Sequence, residues 1–416
     1  MFIINASSRW VVAMKQEIIV TTHIDGITPK HDMYRTFNLA DVNTEYVQGI
    51  LNSHFAQSSC HVENIKLVPI ENGFNSEITD GGIYRIVIDG QINGQKAPSL
   101  VLKSTTSYYK QKEALFKRLD KLGHTKFIPL LDKYPSNKLA ERELMSYLFL
   151  PGKIPLRIPE LFLGVIDKKT EESWIFMEDL STLDAVEQKG KEWTQEKIQF
   201  VLQNMASFHS SFWGKSSSLD TIDWLGRWWK DRNNDYAAED VALYAVNACA
   251  KLHPDVITKK KLFLLEQALS QRNSTHNFFI QEPQTIIHWD FGPQNIRLDQ
   301  SEANEKRLVV FDWQTTSIGL PQWDIAQFLM PIIKVESKQV VYDFINFYIS
   351  MLPLEVRAKI DVQKFIKIFD LVIVDHFFRA CAPILFSDES IDKECNTYSE
   401  WINCLSWIET ESAKWI

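Results

Sequence analysis

The stretch from Gln284 to Phe328 constrains the fold more than any other, because two short apolar runs within it each end in a polar cluster. His288 closes the first run and is followed by Asp290 and Asn295, whereas the second run, LVVF, is followed directly by Asp312. An Asp can accept the proton of an attacking hydroxyl, and an Asn five residues later can offer its carbonyl oxygen to magnesium. A carboxylate held at the end of a buried strand suits the same hard cation. The pattern predicts a phosphate-transfer site.

The order of these motifs resembles a known family. HxDxxxxN, then a strand, then DWQ and GxPxxDIA are similar to the phosphotransferase superfamily of aminoglycoside and choline kinases. DWQ with Gly319, Pro321 and Asp324, together with SFHSSFW at 207–213, most resembles its ecdysteroid-kinase-like branch. The resemblance runs from about residue 66 to residue 329. It implies a kinase that uses ATP and Mg²⁺.

One position departs from the family pattern. Family members usually have glycine after the loop histidine, where this chain has Trp289, whose indole must find room beside Asp290. The resemblance also assigns a structural role to Asp324, which in the family braces the catalytic loop by accepting backbone N–H bonds.

The resemblance implies a bilobal α+β, protein-kinase-like fold. A small lobe of antiparallel strands with a bracing helix is expected at 1–178, and a larger, mainly helical catalytic and acceptor-binding lobe at 179–416. A length of 416 residues also exceeds the usual limit of one hydrophobic core. ATP is expected in the cleft. Residues 1–30 are either a hairpin appended to this fold or an over-long start, with Met14 or Met33 as the true first residue.

Four residues that precede the catalytic loop are predicted to bind the nucleotide. Lys103 lies in the strand-like run LVLKS, and Glu143 can pair with it if its helix packs on the sheet. The resemblance implies that this pair holds the ammonium toward the phosphates. The run SWIFMEDL resembles the family hinge, where Glu178 and Leu180 would meet the adenine edge. Under the other interpretation, Lys103 extends to solvent from a strand end and Glu143 is a solvated helix residue.

The segment ENGFNSEITDGG, at 71–82, precedes the Lys103 strand. Its glycines would let the backbone approach phosphates closely, as the glycine-rich loop of a kinase does. The segment does not match GxGxxG, and taken alone it is typical of an ordinary hairpin loop.

The roles of the remaining site residues follow from the demands of phosphoryl transfer, which needs in-line positioning and charge neutralisation. Asp290 is the predicted catalytic base for the hydroxyl of a small-molecule acceptor. Asn295 and Asp312 are the predicted Mg²⁺ ligands and so also hold the nucleotide. His288 belongs to the same catalytic loop, where we expect it to support the loop by hydrogen bonding rather than to transfer a proton. The chain is expected to be a monomer or homodimer.

Hydrophobic periodicity predicts the elements that carry these motifs. Strands are expected at 65–70, 82–90, 99–104 and 173–180. Helices are expected at 41–55, around 143, at 193–213, twice between 236 and 266, from 322 onward, and several times within 338–416.

Composition describes an ordinary soluble protein, with 45% hydrophobic residues, 24% charged residues and a net charge of −8. An acidic balance argues against a nucleic-acid partner. Five cysteines without CxxC spacing predict free thiols in a reducing compartment, hence a cytoplasmic location. The first residues lack the features of a signal peptide, and no run of 18 uncharged apolar residues predicts a membrane span.

The large lobe contains further candidates. His209 lies among aromatic residues and is expected to form a hydrogen bond inside the core. Aromatic residues are dense at 222–253 (Trp224, Trp228, Trp229, Tyr236 and Tyr244) and carboxylates occur there too (Asp223, Asp231, Asp235, Glu239 and Asp240). The aromatic residues form either core packing or an apolar acceptor pocket, and the latter favours a neutral or weakly charged lipophilic alcohol.

Other functions have less support. A hydrolase built on His288, Asp290 and Ser317 lacks a GxSxG elbow, and a zinc site lacks HExxH or a Cys/His cluster. The serious alternative is a non-catalytic member of the same fold that binds a nucleotide or another ligand.

Overall fold

The computed structural model describes residues 2–4, 10–15, 18–23, 38–55, 58–70, 81–132, 138–185, 193–231, 239–302, 305–332, 338–386 and 402–408. The chain divides into two compact units. Unit 1 comprises Met1–Lys117, Lys138–Pro151 and Ile158–Leu183, and unit 2 comprises Arg118–Asn137, Gly152–Arg157 and Asp184–Ile416.

Unit 1 contains a mainly antiparallel nine-stranded sheet. Its strands are β1 (Phe2–Ile4), β2 (Trp10–Lys15), β3 (Ile18–His23), β4 (Cys60–Ile70), β5 (Gly82–Ile92), β6 (Gln95–Lys96), β7 (Leu100–Thr105), β8 (Leu161–Asp167) and β9 (Ser173–Glu178). The spatial order is β1-β2-β3-β8-β9-β7-β5-β4, with β6 paired to β5. Residues 1–30 therefore contain paired strands, and β3 joins them to β8.

Alternating burial explains why β5 is a strand with one face in the core. Ile86 and Ile88 are buried, whereas Val87 and Asp89 between them are exposed. The period of two is that of a half-buried strand. The same strand pairs with β7, where Ile83 lies opposite Lys103, so β7 occupies an interior position of the sheet.

The helices that accompany this part of the chain are α1 (Thr44–His54), α2 (Tyr108–Lys121), α3 (Ile128–Asp132) and α4 (Leu139–Phe149). The side chain of Asn43 accepts a hydrogen bond from Tyr46 N at 3.0 Å and so caps α1. Tyr46, Val47, Ile50 and Leu51 pack from α1 into the core of the sheet. This cap begins the helix that hydrophobic periodicity predicted at 41–55.

Unit 2 contains two three-stranded sheets and most of the helices. The strands are β10 (Asp184–Ala185), β11 (Gly226–Arg227), β12 (Thr285–Ile287), β13 (Ile296–Glu302), β14 (Glu305–Val310) and β15 (Ser317–Gly319). One sheet has the order β10-β13-β14 and the other β11-β15-β12.

The helices of unit 2 are mostly amphipathic. Besides α3, which belongs to unit 2, they are α5 (Gln195–Ser210), α6 (Ser216–Leu219), α7 (Trp228–Asp231), α8 (Glu239–Leu252), α9 (Lys259–Ser270), α10 (Arg272–Ile280), α11 (Gln322–Leu329), α12 (Lys338–Met351), α13 (Leu354–Arg357) and α14 (Val362–Phe386), and 402–408 is also helical. In α5 the buried residues include Val201, Leu202, Met205 and Phe208, at the spacing that predicted the helix.

The predicted α+β fold class is confirmed, as are the predicted strands and helices, whose bounds differ by a few residues. None of the described helices has the length and apolarity that crossing a membrane requires. Cys60, Cys249, Cys381 and Cys404 are free thiols, as predicted, and Cys395 lies outside the described residues.

Candidate active site

The loop after β12 holds Asp290 and Asn295 in direct contact. Asn295 ends a short 3₁₀ turn that begins at Pro293, and this turn brings its side chain back to Asp290. The Asn295 amide nitrogen donates to the backbone oxygen of Asp290 at 2.8 Å and to its carboxylate at 3.0 Å. Gly292 N donates to the same backbone oxygen at 2.8 Å. Because both donors of the Asn295 amide face Asp290, its carbonyl oxygen remains available as an acceptor.

Asp312 leaves the β13–β14 hairpin at the same end as Asn295. Ile296 pairs with Val310, and Phe311 N donates to Asn295 O at 3.1 Å. Asp312 itself adopts a left-handed backbone conformation, with φ 64°. The hairpin register therefore places the two predicted metal ligands at the same end of the hairpin, with Asn295 just before β13 and Asp312 just after β14.

These residues fit a magnesium ion that is held only in part by protein. A carboxylate and an amide carbonyl are oxygen donors, and Mg²⁺ prefers one or two such ligands together with water and substrate phosphates. Within the described ranges, no group of three or more His, Cys, Asp or Glu side chains could hold a metal ion. A zinc cage of the kind considered from the sequence therefore has no ligand set there.

His288 is fully buried and supports the loop. Its Nε2 lies 3.0 Å from Phe311 O, to which the Nε2–H donates. The backbone oxygen of His288 accepts from Thr315 Oγ1 at 2.8 Å. The ring thus connects the catalytic loop to the segment that carries Asp312, and its burial agrees with the expectation that it does not transfer the proton.

Asp324 braces this loop from the first turn of α11. One carboxylate oxygen accepts His288 N at 2.8 Å, and the other accepts Trp289 N at 2.8 Å. The predicted structural role of Asp324 is therefore confirmed by its contacts.

His209 completes the bracing network from α5. Its Nε2 lies 3.1 Å from Asp324 and its Nδ1 lies 2.8 Å from the hydroxyl of Tyr348. Burial, and next the negative charge of Asp324, raise the pKa of Tyr348 well above its ordinary value. Tyr348 therefore stays protonated and donates to His209, which in turn donates to Asp324. The interpretation of His209 as a hydrogen-bonded core residue is confirmed, and no pattern in the sequence indicated Tyr348.

Trp289 occupies the position where the family usually has glycine. Its φ of 59° lies in the left-handed region that glycine adopts without steric cost. The side chain is 2% exposed, so the indole lies within the core of unit 2. The guanidinium carbon of Arg379, in α14, lies 4.4 Å from the centroid of the indole ring.

In unit 1 the structure brings together the predicted lysine and glutamate. Lys103 Nζ lies 2.8 Å from Glu143 Oε2, and their side chains are 16% and 3% exposed. The alternative in which Glu143 is solvated is therefore wrong. The pair links β7 to α4.

The predicted hinge follows β9. Glu178 N donates to Glu160 O at 2.8 Å, so this N–H is used within unit 1. Leu180 begins a 3₁₀ turn, and the first N–H groups of a helix lack partners within it. That Glu178 and Leu180 meet the adenine edge stays a prediction.

Asp179, between these two residues, was not predicted as a site residue. Its side chain is 4% exposed and accepts from Arg85 at 2.8 Å and from Ser99 at 2.6 Å. Burial acts to raise the pKa of Asp179, but hydrogen bonds from Ser99 and Ser181 and the charge of Arg85 outweigh it, so the pKa lies below its ordinary value. Asp179 therefore anchors the hinge as an ionised group.

The remaining candidates are buried, half-buried or outside the described residues. Trp228 is fully buried and donates to Gln284 Oε1 at 3.1 Å, so it belongs to the core and cannot line an acceptor pocket. Trp224 and Trp229 are half-buried. Tyr244 stacks on Phe127 with 4.8 Å between ring centroids. Residues 71–80 of the predicted phosphate loop, like Asp235 and Tyr236, lie outside the described residues.

Residues 141–359 match the family described as "Phosphotransferase enzyme family". The GDP complex of a mutant aminoglycoside 2'-phosphotransferase-IIIa is 13% identical, with a TM-score of 0.51 over 90% of this chain and 100% of that chain. The GDP and kanamycin complex of APH(2")-IIia is 12% identical, with a TM-score of 0.50 over 88% and 99%. These likenesses show a shared fold. The search of curated proteins finds no match.

Proposed function

Because this chain belongs to the phosphotransferase enzyme family, we propose that it transfers the γ-phosphoryl group of ATP to a hydroxyl of a small molecule. The observation that carries this proposal is the contact of the Asn295 amide with Asp290 at 3.0 Å, at the end of the hairpin from which Asp312 departs. That arrangement supplies a base and two oxygen ligands within one unit of the chain.

In the proposed reaction the acceptor oxygen attacks the γ-phosphorus, and the bond from that phosphorus to the ADP oxygen breaks. Asp290 orients the acceptor hydroxyl and takes its proton. Bound Mg²⁺ would neutralise charge on the phosphates, and Asn295 and Asp312 are the residues that would hold it. Lys103, fixed by Glu143, supplies a further positive charge for the nucleotide.

The hydrogen bonds that Asp324 accepts from the loop support the role proposed for Asp290. Asp324 accepts two consecutive N–H groups of the loop, so the backbone on which Asp290 stands is held from a fully buried carboxylate. A preorganised base needs such support, because misplacing a reacting group by about 1 Å can cost about 100-fold in rate.

The decisive experiment is a screen of hydroxylated compounds for Mg²⁺-dependent ADP release, with ATP and GTP compared as donors. The library should include lipophilic alcohols, amino alcohols and aminoglycosides. Asp290→Asn should abolish transfer with nucleotide affinity nearly intact, whereas Asp312→Asn should weaken Mg·ATP binding. Asp343→Asn, an exposed position on α12, is the matched control and should change neither.

Three results would count against the proposal. If nucleotide and magnesium together gave no calorimetric signal, the proposal that this protein binds a nucleotide would be rejected. If the nucleotide bound but no acceptor gained phosphate, a non-catalytic binding protein of the same fold would be the better description. Equal loss of nucleotide binding in Asp290→Asn and Asp312→Asn would contradict the assigned roles.

A further inference from the structure

Trp289 combines a bulky side chain with a backbone conformation that disfavours one. In the left-handed region the Cβ approaches the carbonyl oxygen, which costs about 1–2 kcal/mol for a residue other than glycine. The conformation persists only where surrounding contacts over-determine it. Trp289, with φ 59° and 2% exposure, directly precedes the proposed catalytic base.

Three side chains hold the peptide groups of Trp289. Asp324 accepts its N–H at 2.8 Å, and Gln327 Nε2 donates to its carbonyl oxygen at 2.9 Å. Arg379 NH1 donates to the same oxygen at 3.2 Å. Asp324 and Gln327 both belong to α11, whereas Arg379 comes from α14, 90 residues along the chain from Trp289.

Arg379 also contacts the indole. Its guanidinium carbon lies 4.4 Å from the ring centroid, the separation of a cation–π contact. Trp323 also contacts the indole, edge to face, with 6.3 Å between ring centroids. A planar guanidinium can stack on a ring and donate an in-plane N–H at the same time, which an ammonium cannot do. Arg379 therefore restrains both the side chain and the backbone of Trp289.

The carbonyl of Trp289 and the N–H of Asp290 belong to one planar peptide group. Donors that fix this carbonyl consequently fix the plane from which the Asp290 side chain departs. We infer that Arg379 is a positioning residue for Asp290, and that it is required because tryptophan occupies the position after the loop histidine. The catalytic part of this inference rests on the proposed function, but the restraint on the loop does not.

The test is a double-mutant cycle with Arg379→Met, Trp289→Gly and the combined variant. Methionine keeps most of the apolar stem of arginine, and glycine adopts the left-handed conformation without strain. Arg357→Met is the matched control, because Arg357 also donates to a backbone oxygen, that of Ser350 at 2.9 Å, at an exposed site.

The first measurement is amide hydrogen exchange of peptides that cover 285–295, with peptides of α5 as an internal reference for global opening. Arg379→Met should accelerate exchange of the loop amides by about tenfold in the presence of Trp289, a size typical of coupling between contacting residues. In the Trp289→Gly background the same change should have an effect of about threefold or less. Arg357→Met should leave loop exchange unchanged.

The second measurement is basal Mg·ATP hydrolysis without acceptor. Arg379→Met should lower kcat by about tenfold and leave KM for Mg·ATP unchanged, and Trp289→Gly should reduce that loss. Equal effects of Arg379→Met in both backgrounds, or equal acceleration of exchange in the loop and in α5, would overturn the inference. If the wild-type protein hydrolysed no ATP, the proposed function would be weakened, and the exchange cycle would still decide the role of Arg379.

Discussion

The carboxylate of Asp324 lies 3.1 Å from the imidazole of His209, and neither side chain reaches solvent. Asp324 faces the catalytic loop and His209 belongs to α5, so this contact ties the loop to the helical core of unit 2. A buried carboxylate is stable only when its hydrogen bonds are satisfied. Here two loop N–H groups and one imidazole satisfy it.

Removal of His209 should therefore destabilise the protein. His209→Ala leaves Asp324 without one donor and Tyr348 without its acceptor, and we expect a loss of about 3 kcal/mol in the free energy of unfolding. Urea denaturation followed by circular dichroism measures it. Ser207→Ala, an exposed position on the same helix, is the control and should change stability by less than about 0.5 kcal/mol. A loss of that small size for His209→Ala would show that the network does not hold the loop.

Much of the candidate site could be predicted because it is local in sequence. Asp290 and Asn295 are separated by one 3₁₀ turn, and Asp312 follows the strand that pairs with the one after Asn295. Residue types and spacing can indicate such contacts because the partners lie close together along the chain or on paired strands. Lys103 and Glu143 could be paired because a buried charge needs a partner and each lies in a clear strand or helix pattern.

The long-range contacts could not be predicted in this way. Arg379 lies in a long apolar helix that carries no motif, and only the packing of α14 brings it to Trp289. The same holds for Tyr348, which reaches His209 from α12. Trp228 shows a second limit, because a cluster of aromatic residues has the same sequence pattern in a pocket as in a core. Its burial and its hydrogen bond to Gln284 become visible only in the structure.

The core role of Trp228 predicts an effect on stability rather than on acceptor choice. Trp228→Ala removes a fully buried indole and should cost about 3–5 kcal/mol in the free energy of unfolding. Trp229→Ala, at its half-buried neighbour, should cost about 1 kcal/mol. Thermal and urea unfolding of both variants gives the comparison. If Trp228→Ala kept wild-type stability and altered the range of acceptors, Trp228 would belong to the acceptor pocket after all.

The Lys103–Glu143 pair predicts separable effects on folding and nucleotide binding. Lys103→Met removes the positive charge that balances the 3% exposed Glu143 carboxylate, so we expect a loss of about 3 kcal/mol in stability together with weaker Mg·ATP binding. Adding Glu143→Gln removes the negative charge that Lys103 balanced and should restore stability without restoring nucleotide affinity.

The control for this pair is Lys168, whose contact with Glu141 at 2.5 Å also involves α4 but whose side chain is 37% exposed. Lys168→Met should cost about 0–1 kcal/mol and leave nucleotide binding unchanged. Calorimetric titration with Mg·ATP and urea unfolding measure the two quantities. Wild-type nucleotide affinity in Lys103→Met would remove Lys103 from the nucleotide site.

Asp179 predicts a dependence of stability on pH. Because its folded-state pKa is depressed, its contribution is present above the unfolded-state pKa of about 4 and is lost as pH falls through the lower folded value. The difference in unfolding free energy between wild type and Asp179→Asn should thus be constant above about pH 5 and shrink below about pH 4. A difference that grew in acid would mean that the sign assigned to the Asp179 pKa is wrong.

The two roles proposed for Asn295 are to bind magnesium through its carbonyl oxygen and to donate a hydrogen bond to Asp290. A single substitution should separate them. Asn295→Asp keeps an oxygen for magnesium but loses the amide donor to Asp290, and it places a second negative carboxylate within hydrogen-bonding distance of the first. Two adjacent carboxylates do not both ionise readily, so one should retain a proton toward neutral pH. We therefore expect Mg²⁺ affinity to be retained in the presence of ATP and kcat for basal Mg·ATP hydrolysis to fall by about tenfold or more, with the acid limb of the rate profile moved to higher pH.

The comparison variants make this last prediction specific. Asn295→Ala removes both the ligand and the donor, so it should weaken Mg²⁺ binding as well as lower kcat. Asn204→Asp is the matched control, since the Asn204 amide also donates to a backbone oxygen, that of Phe200 at 2.8 Å, within α5 and apart from the loop. Magnesium titration at fixed ATP and rate profiles against pH distinguish the variants. An unchanged kcat and pH profile in Asn295→Asp would mean that Asn295 serves only as a metal ligand, and that its amide does not orient Asp290.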